Sequence, residues 1–151
     1  MKRITLAVCA GLLCAGLLAT PADAAVRHFE GSVAGGGTVE FDVLFQRGKP
    51  RQAGFFDFDG IPVDCQPTDT RVNFSTDSVV PVRQRDGKFV YVFRSSTQGA
   101  FARIAGNIRL GTLRNRVVRA TGKMRFGPFD FESSGRTGCT TGGPRNWNAH
   151  T

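Results

Sequence analysis

Histidine, tryptophan and tyrosine are nearly missing from this chain of 151 residues, which has two, one and one of them. No Gly-x-Ser-x-Gly elbow, P-loop or dinucleotide-binding glycine fingerprint is present, so the chemistries that those motifs support have no foothold in it. His28 and His150 stand near opposite ends, and no cysteine or carboxylate pattern completes a zinc site around them. The sequence therefore nominates no catalytic residue, no metal ligand and no cofactor. Beyond residue 24 no 3.6-residue hydrophobic period lasts long enough for a helix. Acids are missing where bases crowd: Arg83 to Arg125 holds eleven Lys or Arg against the single acid Asp86.

What the chain does have begins with Met1 to Ala24. Lys2 and Arg3 precede an apolar run from Ile4 to Leu18, and Pro21 leads into an Ala22-Asp23-Ala24 cleavage pattern, which together read as a secretory signal peptide. The run is shorter than the ~20 residues that a bilayer span needs, so the mature chain is expected to carry no transmembrane span. Leu13 before Cys14 and Val8 before Cys9 do not suit a lipoprotein signal. Cleavage after Ala24 predicts a secreted or periplasmic single domain over 25–151. Cys9 and Cys14 leave with the leader, and Cys65 and Cys139 remain where disulfides persist. The two are expected to pair.

All thirteen phenylalanines fall after residue 24, and an aromatic apolar complement favours strands. Period-two alternation recurs throughout. Val39, Phe41, Val43 and Phe45 alternate with Glu40, Asp42, Leu44 and Gln46, and a turn at Arg47-Gly48-Lys49-Pro50 leads to Phe56 and Phe58. Pairing Gln46 with Arg51 sets Phe41 opposite Phe56 and Val39 opposite Phe58. Asp86-Gly87 predicts a two-residue type I′ turn with Arg85 opposite Lys88, gathering Val80, Val82, Phe89, Tyr91 and Phe93 on one face. A third hairpin spans Ala100 to Phe126 around Gly111 to Asn115. With Leu110 facing Arg116, its buried side holds Ile104, Ile108, Leu110, Val118, Met124 and Phe126. Shorter strands are expected at Arg27 to Val33, Arg71 to Thr76, Phe129 to Ser133 and Arg145 to His150. The fold class predicted is all-β, an antiparallel meander of about eight to ten strands forming a sandwich or flattened barrel.

Cys65 follows Ile61-Pro62-Val63-Asp64, and Cys139 lies in a Gly-rich segment followed by Gly143-Pro144-Arg145-Asn146-Trp147-Asn148-Ala149. In these features the chain resembles small exported β domains of soil bacteria, a group without an assigned activity. The resemblance implies a secreted β domain with a Cys65 to Cys139 bridge and no particular chemistry. Trp147 is expected to plug the core beside that bridge.

Charge supplies the leading functional candidate. Arg103, Arg109, Arg119, Lys123 and Arg125 point outward from the third hairpin, with Arg103 opposite Lys123 and Arg109 diagonal to Arg119. Like charges facing one another destabilise a sheet by roughly 0.2 to 1 kcal/mol per pair, which an anionic ligand would offset. Arg83, Arg85, Lys88 and Arg94 extend the patch. The partners this suggests are an anionic glycan, a phosphate-bearing envelope polymer or a lipid surface. Nucleic acid is disfavoured, because Phe101 is the sole outward aromatic on this hairpin and a stacking platform needs several. The plainer reading is that these side chains only solvate an exposed sheet. Two other classes stand beside it. One is a small exported enzyme using Glu40, Asp42, Asp57 and Asp59, or His28 meeting His150 if the terminal strands pair. The other is a barrel carrying an apolar ligand among its phenylalanines. Asp57-Phe58-Asp59-Gly60 is only a fragment of a calcium loop. The sequence gives no oligomeric state.

Overall fold

The structure, a computed structural model, describes residues 23–95, 101–110 and 117–151. The expected leader lies outside the described residues apart from Asp23 and Ala24, as does the expected turn at Gly111 to Asn115. No helix among the described residues is long and apolar enough to cross a membrane.

Alternation becomes strand almost everywhere. Among the described residues ten strands form: β1 (Ala24–Val33), β2 (Thr38–Gln46), β3 (Lys49–Gln66), β4 (Thr70–Pro81), β5 (Lys88–Arg94), β6 (Phe101–Arg109), β7 (Arg119–Phe126), β8 (Phe129–Phe131), β9 (Arg136–Thr140) and β10 (Arg145–His150). They lie in one antiparallel sheet, in the order β5-β6-β7-β10-β1-β2-β3. The long β3 also pairs with β4 and, near its end, with β9, which carries β8. Two meanders, β1 to β4 and β5 to β7, are thus joined by β10, which pairs with β7 on one side and β1 on the other.

The sheet curls but does not close into a barrel. Its β4 and β5 edges meet through side chains alone: the Tyr91 and Thr76 hydroxyl oxygens lie 3.1 Å apart, and the rings of Phe74 and Phe93 6.2 Å apart. Inside the curl the inward positions fill the space. Phe41 stacks on Phe29 at 5.0 Å and on Phe56 at 5.5 Å, and Phe56 stacks on Phe89 at 5.6 Å. Fully burying such a side chain contributes roughly 1.5 to 3 kcal/mol. Trp147 is buried in the core as expected, and its ring contacts are with Phe41 and Phe89. Gly106 and Gly122, opposite each other on β6 and β7, leave room for that indole: a Cβ on Gly122 would lie 2.4 Å from it.

Three expected registers are corrected. Arg47 (φ 51°) and Gly48 (φ 71°) make a two-residue turn, so Gln46 pairs with Lys49 rather than Arg51. Irregularities between Glu40 and Asp42 and between Leu44 and Phe45 absorb the difference, and Val39 lies opposite Phe58 as expected. At Asp86-Gly87 only glycine takes a positive φ, and the Arg83 amide donates to the Lys88 carbonyl across a wider loop. β4 turns away to pair with β3 while β5 pairs with β6, so the expected Val79 to Arg94 ladder does not form. The faces survive for Val82, Phe89 and Tyr91, which are buried, but Phe93 is 39% exposed. On the third hairpin the pairing is displaced by two residues. Leu110, expected in the core, is 53% exposed past the end of β6.

Cys65 and Cys139 form the expected disulfide, with an S–S distance of 2.09 Å across a separation of 74 residues. On the chain-entropy account a closed loop of that length contributes about 4 to 5 kcal/mol. The bond joins β3 to β9, and Cys139 is the ladder partner of Phe129 on β8.

Candidate anion-binding face

Alternation on β6 and β7 puts every second side chain on the outer face, where Arg103, Arg109, Arg119, Lys123 and Arg125 are all exposed. The two-residue displacement keeps this face intact and changes which cations face one another. Arg103 lies directly opposite Arg125 rather than Lys123, and Arg109 directly opposite Arg119 rather than diagonal to it. Lys123 faces Ala105. Among the described residues none of the five meets a carboxylate at ion-pairing distance; the acid of the region, Asp86, is engaged by Arg83 and Lys88. Asp86 is held below the ordinary carboxylate range, because the Lys88 amide and the charges of Arg83, Lys88 and Arg85 outweigh desolvation, which acts the other way and is the largest single influence.

The outer surface here is concave. A groove of about 380 Å³ runs over it, with Lys88, Arg103, Lys123 and Arg125 around a floor that includes Ala105, Gly106 and Gly122. Ala105, the short outward side chain among these, leaves the floor low while long cationic side chains stand around it. A neighbouring polar groove continues across β10 and β1, past Asn146, Asn148 and Ser32.

Acids gather farther along the outer face, on β1 to β3. One lateral row of ladder partners runs Arg109, Arg119, His150, Glu30, Glu40 and Asp57, from β6 to β3. The charge asymmetry along the sequence has become an asymmetry across one surface. Glu40 lies opposite Asp57, two of the four acids named for a carboxylate site. The terminal strands do pair, but the ring of His28 engages acids rather than His150: its Nδ1 is 2.8 Å from Asp42, and its Nε2 is 3.6 Å from both Glu30 and Glu40. The hydrogen bond with Asp42 raises the His28 pKa above its ordinary value; desolvation opposes it, and the charges of Asp42, Glu40 and Glu30 reinforce it. No group of three or more His, Cys, Asp or Glu among the described residues is arranged to hold a metal ion.

Sequence reasoning missed the aromatic side of this region. Phe101, read as a lone outward ring, borders both the cationic groove and a separate apolar cleft, and the Arg94 guanidinium sits 5.7 Å from its ring centre. Comparison with protein-family models, curated proteins and solved structures found no match for this chain.

Proposed function

We propose that this protein is an exported binding domain whose outer face on β6 and β7 takes anionic, phosphate- or sulfate-bearing molecules of a cell envelope or extracellular glycan. The observation that carries the reading is the direct apposition of Arg103 with Arg125 and of Arg109 with Arg119, free of carboxylate partners among the described residues, with the first pair lining an outer groove. Holding like charges together costs stability that a bound anion returns, and guanidinium forks suit phosphate and sulfate oxygens. Export is supported by the leader pattern and by the disulfide, since such bonds persist in oxidising compartments. A single aromatic beside the groove supports glycan or phosphate groups over stacked bases.

The test is retention on immobilised heparin as a function of salt. Arg103→Glu with Arg125→Glu should elute at much lower salt than the natural protein, while Lys49→Glu, far along the sheet on β3, should elute close to it. Unchanged retention of the double variant would remove this face from the proposal.

A further inference from the structure

β8 and the ends of β4, β5, β6 and β7 leave an apolar cleft of about 170 Å³ where the sheet fails to close. Phe74, Phe93, Phe126, Phe129 and Phe131 line it, with Val72 and Ala102. Its size is comparable to the ~150 Å³ apolar cavities that take up benzene. Phe93 is exposed and Phe74, Phe129 and Phe131 are only half-buried, so rings that the fold would otherwise shield remain reachable from solvent. The β8 to β9 arm that supplies Phe129 and Phe131 is tied to β3 by the disulfide.

The cleft adjoins the cationic groove, because Phe101 borders both. Within one ladder step of Phe101 stand Arg94, its partner on β5, and Arg103, whose partner on β7 is Arg125. Apolar space on one side of a ring, and on the other guanidinium groups that meet no carboxylate among the described residues, complement a molecule with an apolar end and an anionic head.

We infer that the ligand is a monomeric anionic amphiphile, an acyl or aryl chain bearing a phosphate or carboxylate, with its apolar end among Phe74, Phe93 and Phe131 and its head on Arg103 and Arg125. This rests on the proposed function and narrows its ligand class. The cleft is too short to enclose a long chain, so it grips the part nearest the head and leaves the remainder outside. The apolar contact adds affinity in proportion to the area it removes from water.

Titration calorimetry with dodecyl phosphate below its micelle concentration, against inorganic phosphate, decides it. Dodecyl phosphate should bind about tenfold or more tightly than inorganic phosphate, a difference of about 1.4 kcal/mol. Phe93→Ser should abolish most of that advantage and leave heparin retention unchanged. Phe131→Ser provides the same reading should the first variant lose its native circular dichroism. Arg103→Glu with Arg125→Glu should weaken both dodecyl phosphate and heparin binding. Equal affinity for the two phosphates, or indifference to both Phe variants, overturns the amphiphile while leaving the anionic face standing if heparin retention still depends on the arginines. Binding to phosphatidylglycerol vesicles with none to the monomer also overturns it, assigning the face to a membrane surface.

Discussion

Arg103 on β6 and Arg125 on β7 are direct cross-strand neighbours on an exposed face, with no carboxylate among the described residues to separate their charges. Such a pair weakens the sheet that carries it. Arg103→Glu converts it into an opposite-charge pair and should therefore stabilise the unliganded protein by a few tenths to about 1 kcal/mol in urea denaturation. The same variant should elute earlier from heparin. Stability and binding moving in opposite directions would mark a charge held for function. A variant both less stable and equally well retained would contradict the functional reading.

Gly122 is required by packing rather than by backbone angle. A Cβ there would lie 2.0 Å from the Ala105 carbonyl oxygen and 2.4 Å from the Trp147 indole. Neither a ladder carbonyl nor a buried indole can retreat cheaply. Gly122→Ala should cost roughly 1 to 3 kcal/mol or more by chemical denaturation. It should also red-shift the tryptophan emission as the indole leaves its site. Natural emission and stability within 0.5 kcal/mol of the parent would show that the sheet accommodates the methyl.

Much of this architecture was legible because alternation is local. Ile104, Ile108, Met124 and Phe126 are buried and Arg103, Lys123 and Arg125 exposed whichever partner each one takes, since a displacement of two residues preserves every face. Register is not local: alternation alone sets Arg103 opposite Lys123, whereas the sheet pairs it with Arg125. The Asp86-Gly87 signal misled for the same reason: a strong turn dipeptide was outweighed by what β4 gains from β3 and β5 from β6. The His28 to Asp42 contact needed the β1 to β2 register. The aromatic cleft needed more still, because Phe74, Phe93 and Phe131 come from three separate strands. No spacing in the sequence brings them together.

Reduction of Cys65–Cys139 should act on more than global stability. Losing the closure of a loop with a 74-residue separation should cost about 4 to 5 kcal/mol on the chain-entropy account, read as a lower urea midpoint under reducing conditions. Because the bond anchors β9 and its partner β8, Phe129 and Phe131 should lose protection from solvent before β1 and β2 do. Hydrogen exchange in the reduced protein checks this order. Simultaneous loss of protection in all strands would show that the arm is no weaker than the sheet.

His28 gives the fold a pH dependence whose sign is fixed by its surroundings. The Asp42 hydrogen bond, with the nearby charges of Asp42, Glu40 and Glu30, favours the protonated ring against desolvation and raises the folded-state pKa above the unfolded value of about 6.5. A group raised in this way contributes stability in full below the unfolded value, and the contribution fades as pH rises through the folded one. The neutral ring then no longer offsets the charges of Glu30, Glu40 and Asp42. The side chain is half-exposed, so solvent screens the effect and it should be small. Proton NMR should place the His28 titration above that of an unfolded peptide, and Asp42→Asn should lower it. Asp42→Asn should also destabilise the protein more at pH 5.5 than at pH 8.5. An equal loss at both values would mean that Asp42 supports the strand through its shape, with the charge on His28 irrelevant to folding.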